Sequence, residues 1–222
     1  MSSSSIKPIK IYGKHGPNPP KIIMLAEELG LPYEVVDTQF TDVKKPEYLA
    51  VNPNGRMPAI HDPNTGLTLW ESGAIIEYLV EKYDTKHSIS FKAGSNEAYL
   101  AKQWLFYQVS GQGPYFGQAM WFTIYHSEQL PSAQDRYYAE IKRVTGVLED
   151  HLKKQVKGKD GPWLVGGKYS FADMAFVPWQ AIAGAVLGQK VDLKEFTEVS
   201  AWIEKMKARK SIGPVLEAAM SN

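Results

Sequence analysis

Two strand-like segments joined by one amphipathic helix pattern constrain this chain more than any other feature. Ile6 to Tyr12 alternates around Pro8 and is rich in Ile and Tyr, and Gly13 to Pro20 then breaks the alternation with two Gly and three Pro. Pro20 suits a first helical turn, and Ile22, Leu25, Ala26 and Leu29 recur on one helical face before Gly30 closes the segment. Tyr33 to Phe40 reads as a second strand. A single crossover helix places two such strands parallel in one sheet, so the chain opens with a β-α-β unit.

The next stretch adds strands and one more helix. Pro46 to Asn52 predicts a short irregular helix, and Met57 to His61 a brief strand after Asn52-Pro53-Asn54-Gly55. The turn Asp62 to Gly66 leads into Leu67 to Trp70, which makes a β-hairpin. Ser72, Ile75, Ile76, Leu79 and Tyr83 share one face of a helix over Glu71 to Tyr83. Asp84 to Lys92 is polar and nonperiodic, and beyond it strand signals all but vanish.

Leu100, Trp104 and Tyr107 mark one later helix, and Ile141, Val144, Leu148 and Leu152 mark another. Ala172, Ala175, Phe176, Trp179, Ile182, Ala183 and Val186 continue a third helical face. Ser170 can cap this helix with Asp173 at the reciprocal capping-box position, and Tyr169 with Met174 can form the hydrophobic staple. Asp173 therefore reads as a buried folding signal. The expected class is α/β plus all-α: a mixed domain over 6–84, a linker over 85–92 and an all-helical domain over 93–222.

Composition removes several kinds of chemistry. The chain has no cysteine, so it has no disulfide framework, thiolate nucleophile or Cys-ligated zinc, and thiol chemistry requires a ligand's thiol. The five histidines include no pair at i,i+3 or i,i+4, and no metal is expected. Lys and Arg (25) nearly balance Asp and Glu (24), leaving +1, so no nucleic-acid partner is expected. No apolar run approaches the roughly 18 residues of a membrane span. Residues 1–5, Met followed by four Ser, read as a disordered tail rather than a targeting peptide, and a cytoplasmic location follows as the expectation.

The order β-α-β-β-β-α, with Asn52 to Arg56 leading into Met57-Pro58 and with Glu71-Ser72 opening the next helix, resembles the glutathione transferase family. The resemblance covers nearly the whole chain. Gly16-Pro17-Asn18 and the stretch from Trp104 through Gly117-Gln118 are similar to one branch: fungal transferases related to the yeast nitrogen-regulator prion protein, and nu-class bacterial enzymes. The resemblance implies a thioredoxin-like N-terminal domain, a helical C-terminal domain, glutathione as co-substrate and a cytoplasmic homodimer.

It also assigns residues. Pro58 is cis in this family, which turns the Met57 backbone outward to pair with the cysteinyl segment of glutathione. A helix start at Glu71-Ser72 welcomes the γ-glutamyl carboxylate with its free N–H groups and hydroxyl, while the Glu71 carboxylate can hold the ammonium. Arg56 lies just before the Met57 edge and contributes to the same site in this branch. Seen alone, Arg56 is equally a solvated turn cation and Glu71 a helix-start charge; their joint spacing around Met57-Pro58 favours the site. Lys44 or Lys45 can add a donor for the glycyl carboxylate, although such lysines are commonly just solvated.

Glutathione's thiol is mostly protonated at pH 7, and lowering its pKa by about 2 units needs about 2.7 kcal/mol of preferential thiolate stabilisation. Asn18 stands just before the first helix, where its amide and neighbouring backbone N–H groups can point at a ligand sulfur; an Asn at this position does so in the resembling branch. Asn18 can also simply cap the helix. Tyr12 is the rival, placed where other members carry a catalytic hydroxyl, and Gly16 stands where the bacterial enzymes have a Thr. For a second substrate the candidates are Tyr115, Phe116, Trp121, Phe122, Tyr125 and Arg136, though these rings can equally be core or dimer interface and Arg136 a surface cation. The function expected from the resemblance is transfer through glutathione thiolate to disulfides, peroxides, glutathionyl adducts or small hydrophobic electrophiles. The alternative is a non-catalytic glutathione carrier or regulator.

Overall fold

The computed structural model describes residues 6–157 and 160–221, so the expected tail lies outside the described residues. The chain divides into two compact units, one from Met1–Ser88 with Lys210–Asn222 and the other Ile89–Arg209. The first is a thioredoxin-like mixed sheet with helices; the second is helical.

In the first unit, β1 (Ile9–Tyr12), β2 (Tyr33–Val36), β3 (Ala59–Asp62) and β4 (Leu67–Trp70) form a sheet in the order β2-β1-β3-β4. β1 runs parallel to β2, with Ile9 opposite Tyr33, and antiparallel to β3, with Tyr12 opposite Ala59. The strands are shorter than their apolar patterns. Pro8 and Pro58 have no N–H to give a ladder, so β1 and β3 begin after them. β2 stops at Val36 because Asp37 turns to accept from Lys14 at 2.9 Å and Gln39 at 2.8 Å.

Three helices follow the strands: α1 (Pro19–Leu29), α2 (Pro46–Leu49) and α3 (Ser72–Tyr83). Ile9 and Ile11 of β1, Ile22, Met24 and Leu25 of α1, Ile60 of β3, and Ile75 and Ile76 of α3 are fully buried. Each such side chain contributes about 1.5–3 kcal/mol of apolar burial. The β3–β4 turn is locked to α3 through Asp62, whose carboxylate accepts from Tyr78 at 2.6 Å, Tyr83 at 2.5 Å and the Asn64 N–H at 2.8 Å. The C-terminal helix Gly213–Met220 packs on α1, and Ser211 donates to Glu28 there. The expected helical span 93–222 thus divides, its last residues grouping with the sheet.

The second unit holds α4 (Asn96–Tyr107), α5 (Gly113–Met120), α6 (Pro131–Lys154), α7 (Phe171–Met174), α8 (Val177–Leu187) and α9 (Thr197–Lys207). π-Helical turns at Gln108–Gln112 and Trp121–Tyr125 flank α5. The helix expected across Ala172 to Val186 is two: Pro178 lacks an N–H and belongs in a first turn, so α8 starts anew after the break at Ala175 and Phe176. The Ser170–Asp173 capping box is present, and the buried Asp173 carboxylate also accepts from Leu164 N–H at 2.9 Å and Trp202 Nε1 at 3.2 Å. Buried Glu149 of α6 caps α9 by accepting the Val199 N–H at 2.9 Å. Among the described residues no helix is long and apolar enough to cross a membrane.

Candidate functional site

The segment before Pro58 is a braced loop. Asn52, only 1% exposed, accepts the Asn54 N–H through Oδ1 at 2.9 Å and donates from Nδ2 to the Arg56 carbonyl at 2.6 Å. Tyr48 of α2 donates its hydroxyl to the same carbonyl at 2.8 Å. Gly55 is required, with φ 61° and a position where a Cβ would lie 2.7 Å from the Val43 carbonyl oxygen. The loop presents Arg56 with its side chain exposed, and Met57 half-buried ahead of a cis bond to Pro58. The Met57 thioether lies over the Gly13 backbone: a Cβ on Gly13 would come within 2.4 Å of Sδ.

The start of α3 is the second feature. Glu71 has φ 72° and ψ 115°, a backbone conformation that costs a non-glycine residue about 1–3 kcal/mol. Its exposed side chain stands beside Ser72, which is buried. Lys21 of α1 comes beneath them, with Nζ 3.4 Å from Ser72 Oγ and the residue 1% exposed. Burial pushes the Lys21 ammonium down to about 7, against the opposing pull of the Glu71 carboxylate. A helix N-terminus, a hydroxyl and a buried lysine together suit a carboxylate ligand, and the Glu71 carboxylate suits an adjacent ammonium. Lys21 was missed in the sequence, although its register with Leu25 and Leu29 places it on the apolar face of α1, an uncommon position for a lysine.

The loop between β1 and α1 sets the third feature. Gly16 has φ 79°, and a Cβ there would lie 3.2 Å from Phe40 Cζ. Asn18, half-buried in the helical backbone region, makes no side-chain cap bond to α1. The neighbouring backbone donors expected here are largely missing. Pro17, Pro19 and Pro20 have no N–H, and the Lys21 N–H is given to the Asn18 carbonyl at 3.2 Å. Among the backbone N–H groups from residue 17 to residue 21, only that of Asn18 can serve a ligand, and its side-chain amide adds a second donor there.

The rival Tyr12 packs edge-on against Tyr48, with ring centroids 6.2 Å apart. Both line a cleft of about 280 Å³ with Val36, Asp37, Asp42 and Lys45. Lys45 pairs with Asp42 at 2.6 Å, and Lys44 donates to the Asn54 carbonyl at 3.0 Å. Each lysine thus already has an intrachain partner.

The second-substrate candidates lie in the helical unit and divide in two. Phe116 is a correction: it is fully buried in the core of this unit, edge-on to Trp179 at 6.4 Å, because it faces Ile141 and Val144 of α6. Trp121 (49% exposed) and Tyr125 (68%) stand out on the π-turn with ring centroids 6.2 Å apart. Phe122 stacks on Tyr137 at 5.6 Å, and half-buried Tyr115 lies beneath the Arg143 guanidinium at 5.7 Å. Arg136 is exposed on α6.

Comparison with known proteins places the chain in a family. Residues 7–81 match the glutathione S-transferase N-terminal domain and residues 114–210 the glutathione S-transferase C-terminal domain. The chain is 55% identical over 221 residues to the glutathione S-transferase-like protein gedE of Aspergillus terreus, covering 98% of each chain. It is 43% identical to glutathione S-transferase 2 of Schizosaccharomyces pombe, covering 91% of each. The crystal structure of glutathione transferase URE2P6 from Phanerochaete chrysosporium in complex with oxidized glutathione matches at a TM-score of 0.89 and 47% identity over 97% of each chain. The chain belongs to the glutathione S-transferase family.

Proposed function

We propose that this protein is a glutathione transferase that holds glutathione along Arg56 and Met57 and at Glu71 and Ser72, and activates its sulfur with Asn18. The observation that carries this reading is the assembly, within one compact unit, of a carboxylate-binding helix start and a braced strand edge. At the first, Lys21 lies 3.4 Å from Ser72 Oγ beside Glu71; at the second, two donors fix the Arg56 carbonyl. The Asn18 amide stabilises the thiolate by donating to the charged form. The thiolate then attacks an electrophilic carbon, releasing a leaving group with its electron pair, or a disulfide sulfur, releasing the other sulfur as thiolate. The oxidized glutathione held by URE2P6 supports the disulfide class for this chain. The exposed Trp121 and Tyr125 give the helical unit an apolar surface suited to flat hydrophobic molecules, and the working form is a cytoplasmic homodimer.

Calorimetry with glutathione tests the site. Glu71→Ala is expected to weaken binding about tenfold or more, and solvent-exposed Arg56→Ala by less, about threefold. Unchanged affinity in both variants overturns the assignment. Turnover with glutathione and hydroxyethyl disulfide, a hydroperoxide or chlorodinitrobenzene then sorts the chemistry; binding with no turnover of any of them favours the carrier reading.

A further inference from the structure

Why Tyr48 and Asn52, two polar side chains within 6% and 1% of full burial, converge on one backbone oxygen is not explained by packing alone. They donate to the Arg56 carbonyl at 2.8 and 2.6 Å, matching the two lone pairs of that oxygen. The Arg56–Met57 bond is trans, the cis bonds being Met57–Pro58 and Gly161–Pro162. In a planar trans peptide the carbonyl and the N–H point in opposite directions. Fixing the Arg56 carbonyl toward the buried Tyr48–Asn52 pair therefore turns the Met57 N–H away from that pair.

We propose that Tyr48 and Asn52 are positioning residues for glutathione, acting through the Arg56 carbonyl to aim the Met57 N–H at the cysteinyl carbonyl of the bound tripeptide. The inference rests on the glutathione site proposed above and adds the residues that preorganise it. Rotation of an unheld Arg56–Met57 peptide would cost the ligand this hydrogen bond, or charge its ordering against the binding energy. The clamp is itself held. The Asn52 Oδ1 is fixed by the Asn54 N–H, the Asn52 carbonyl by the Gly55 N–H at 2.9 Å, and the Tyr48 ring packs against Tyr12. Burial pushes the Tyr48 phenol up, so it stays protonated and remains a donor near neutral pH.

The test uses the full chain with Tyr48→Phe, Asn52→Ala and the double variant. Three readouts are taken: glutathione affinity by calorimetry, thermal midpoint, and the nitrogen-15 signal and hydrogen exchange of the Met57 amide with and without glutathione. In the wild type, glutathione should shift the Met57 amide signal and slow its exchange. Tyr48→Phe should weaken glutathione about threefold and the double variant about tenfold, with the amide protection reduced in step. The KM for glutathione should rise while kcat changes less than twofold, a split that general loss of folded protein would not produce. A variant with a lowered midpoint but wild-type affinity and Met57 protection overturns the proposal, leaving a purely structural brace. Tyr48→Phe removes one hydroxyl and keeps the ring, so it answers the question even where the double variant does not fold. Wild-type protein that binds no glutathione, or binds it without any response at Met57, overturns the underlying site reading; a Met57 response that is the same in wild type and Tyr48→Phe overturns the positioning role alone.

Discussion

The ammonium of Lys21 and the hydroxyl of Ser72 meet at 3.4 Å beneath the start of α3, bringing a buried cation from one helix to the N-terminus of another. Burial pushes Lys21 down to about 7, whereas an unfolded lysine titrates near 10.4. Between those values the unfolded chain holds a proton that the folded chain has lost, so stability from this group rises with pH. Below about pH 7 both states are protonated and the burial penalty is complete. Urea midpoints from pH 6.5 to 9.5 should climb more steeply in the wild type than in Lys21→Met, with a difference of up to about 1.4 kcal/mol per pH unit. Parallel curves would show that Lys21 does not titrate in this window.

The same lysine predicts a proton linkage. A ligand carboxylate at Ser72 favours the charged ammonium, so binding near pH 8 should draw a proton onto Lys21. S-hexylglutathione, whose sulfur carries no proton, isolates this effect from thiol ionisation. Calorimetry in buffers of different ionisation enthalpy should give clearly more proton uptake in the wild type than in Lys21→Met, where only the ligand amine held by Glu71 is left to gain protons.

Gly16 has φ 79° with Phe40 close by, and this opposes the Thr side chain that the resemblance to bacterial enzymes would put there. Gly16→Thr is expected to destabilise the protein by about 1–2 kcal/mol and to leave turnover unimproved. A gain in thiolate formation without loss of stability would show that the loop accepts a hydroxyl donor.

Burial alone would push the Asp62 carboxyl up, but hydrogen bonds from Tyr78, Tyr83 and Asn64 outweigh it and hold it below the ordinary carboxylate range. Its stabilising contribution is therefore present above pH 4 and lost as pH falls through the folded value. Tyr83→Phe should cost about 1–2 kcal/mol and move the acid-unfolding midpoint to higher pH. An unmoved midpoint would remove Asp62 from the account of acid stability.

Much of the first unit was legible because its signals are local. Pro20, the apolar face from Ile22 to Leu29, and Gly30 spell α1 in sequence order, and Gly30 does take the left-handed conformation at φ 62°. Ser170 and Asp173 likewise spell their own hydrogen bonds. What failed depends on partners distant in sequence. Lys21 acquires meaning only when α1 meets Ser72, 51 residues away. Phe116 has the composition of a ligand surface until Trp179 covers it. α9 went unnamed because its cap is Glu149 of another helix rather than a residue beside it. The role of Asn18 follows from the resemblance alone, whereas the shortage of N–H groups around it is legible in the sequence as Pro17, Pro19 and Pro20.

The most direct measurement is the apparent thiol pKa of bound glutathione, followed by its ultraviolet thiolate absorbance against pH in wild type, Asn18→Ala and Tyr12→Phe. With the surrounding prolines giving no N–H, the account predicts a higher pKa in Asn18→Ala and about 10–100-fold lower turnover. Asn18 makes no side-chain cap bond, so lost capping of α1 does not account for such a drop, and a thermal melt of the same variant fixes the folded fraction at which turnover is compared. Tyr12→Phe should leave both the pKa and turnover close to wild type. A wild-type thiol pKa in Asn18→Ala, with activity abolished instead by Tyr12→Phe, would contradict the account.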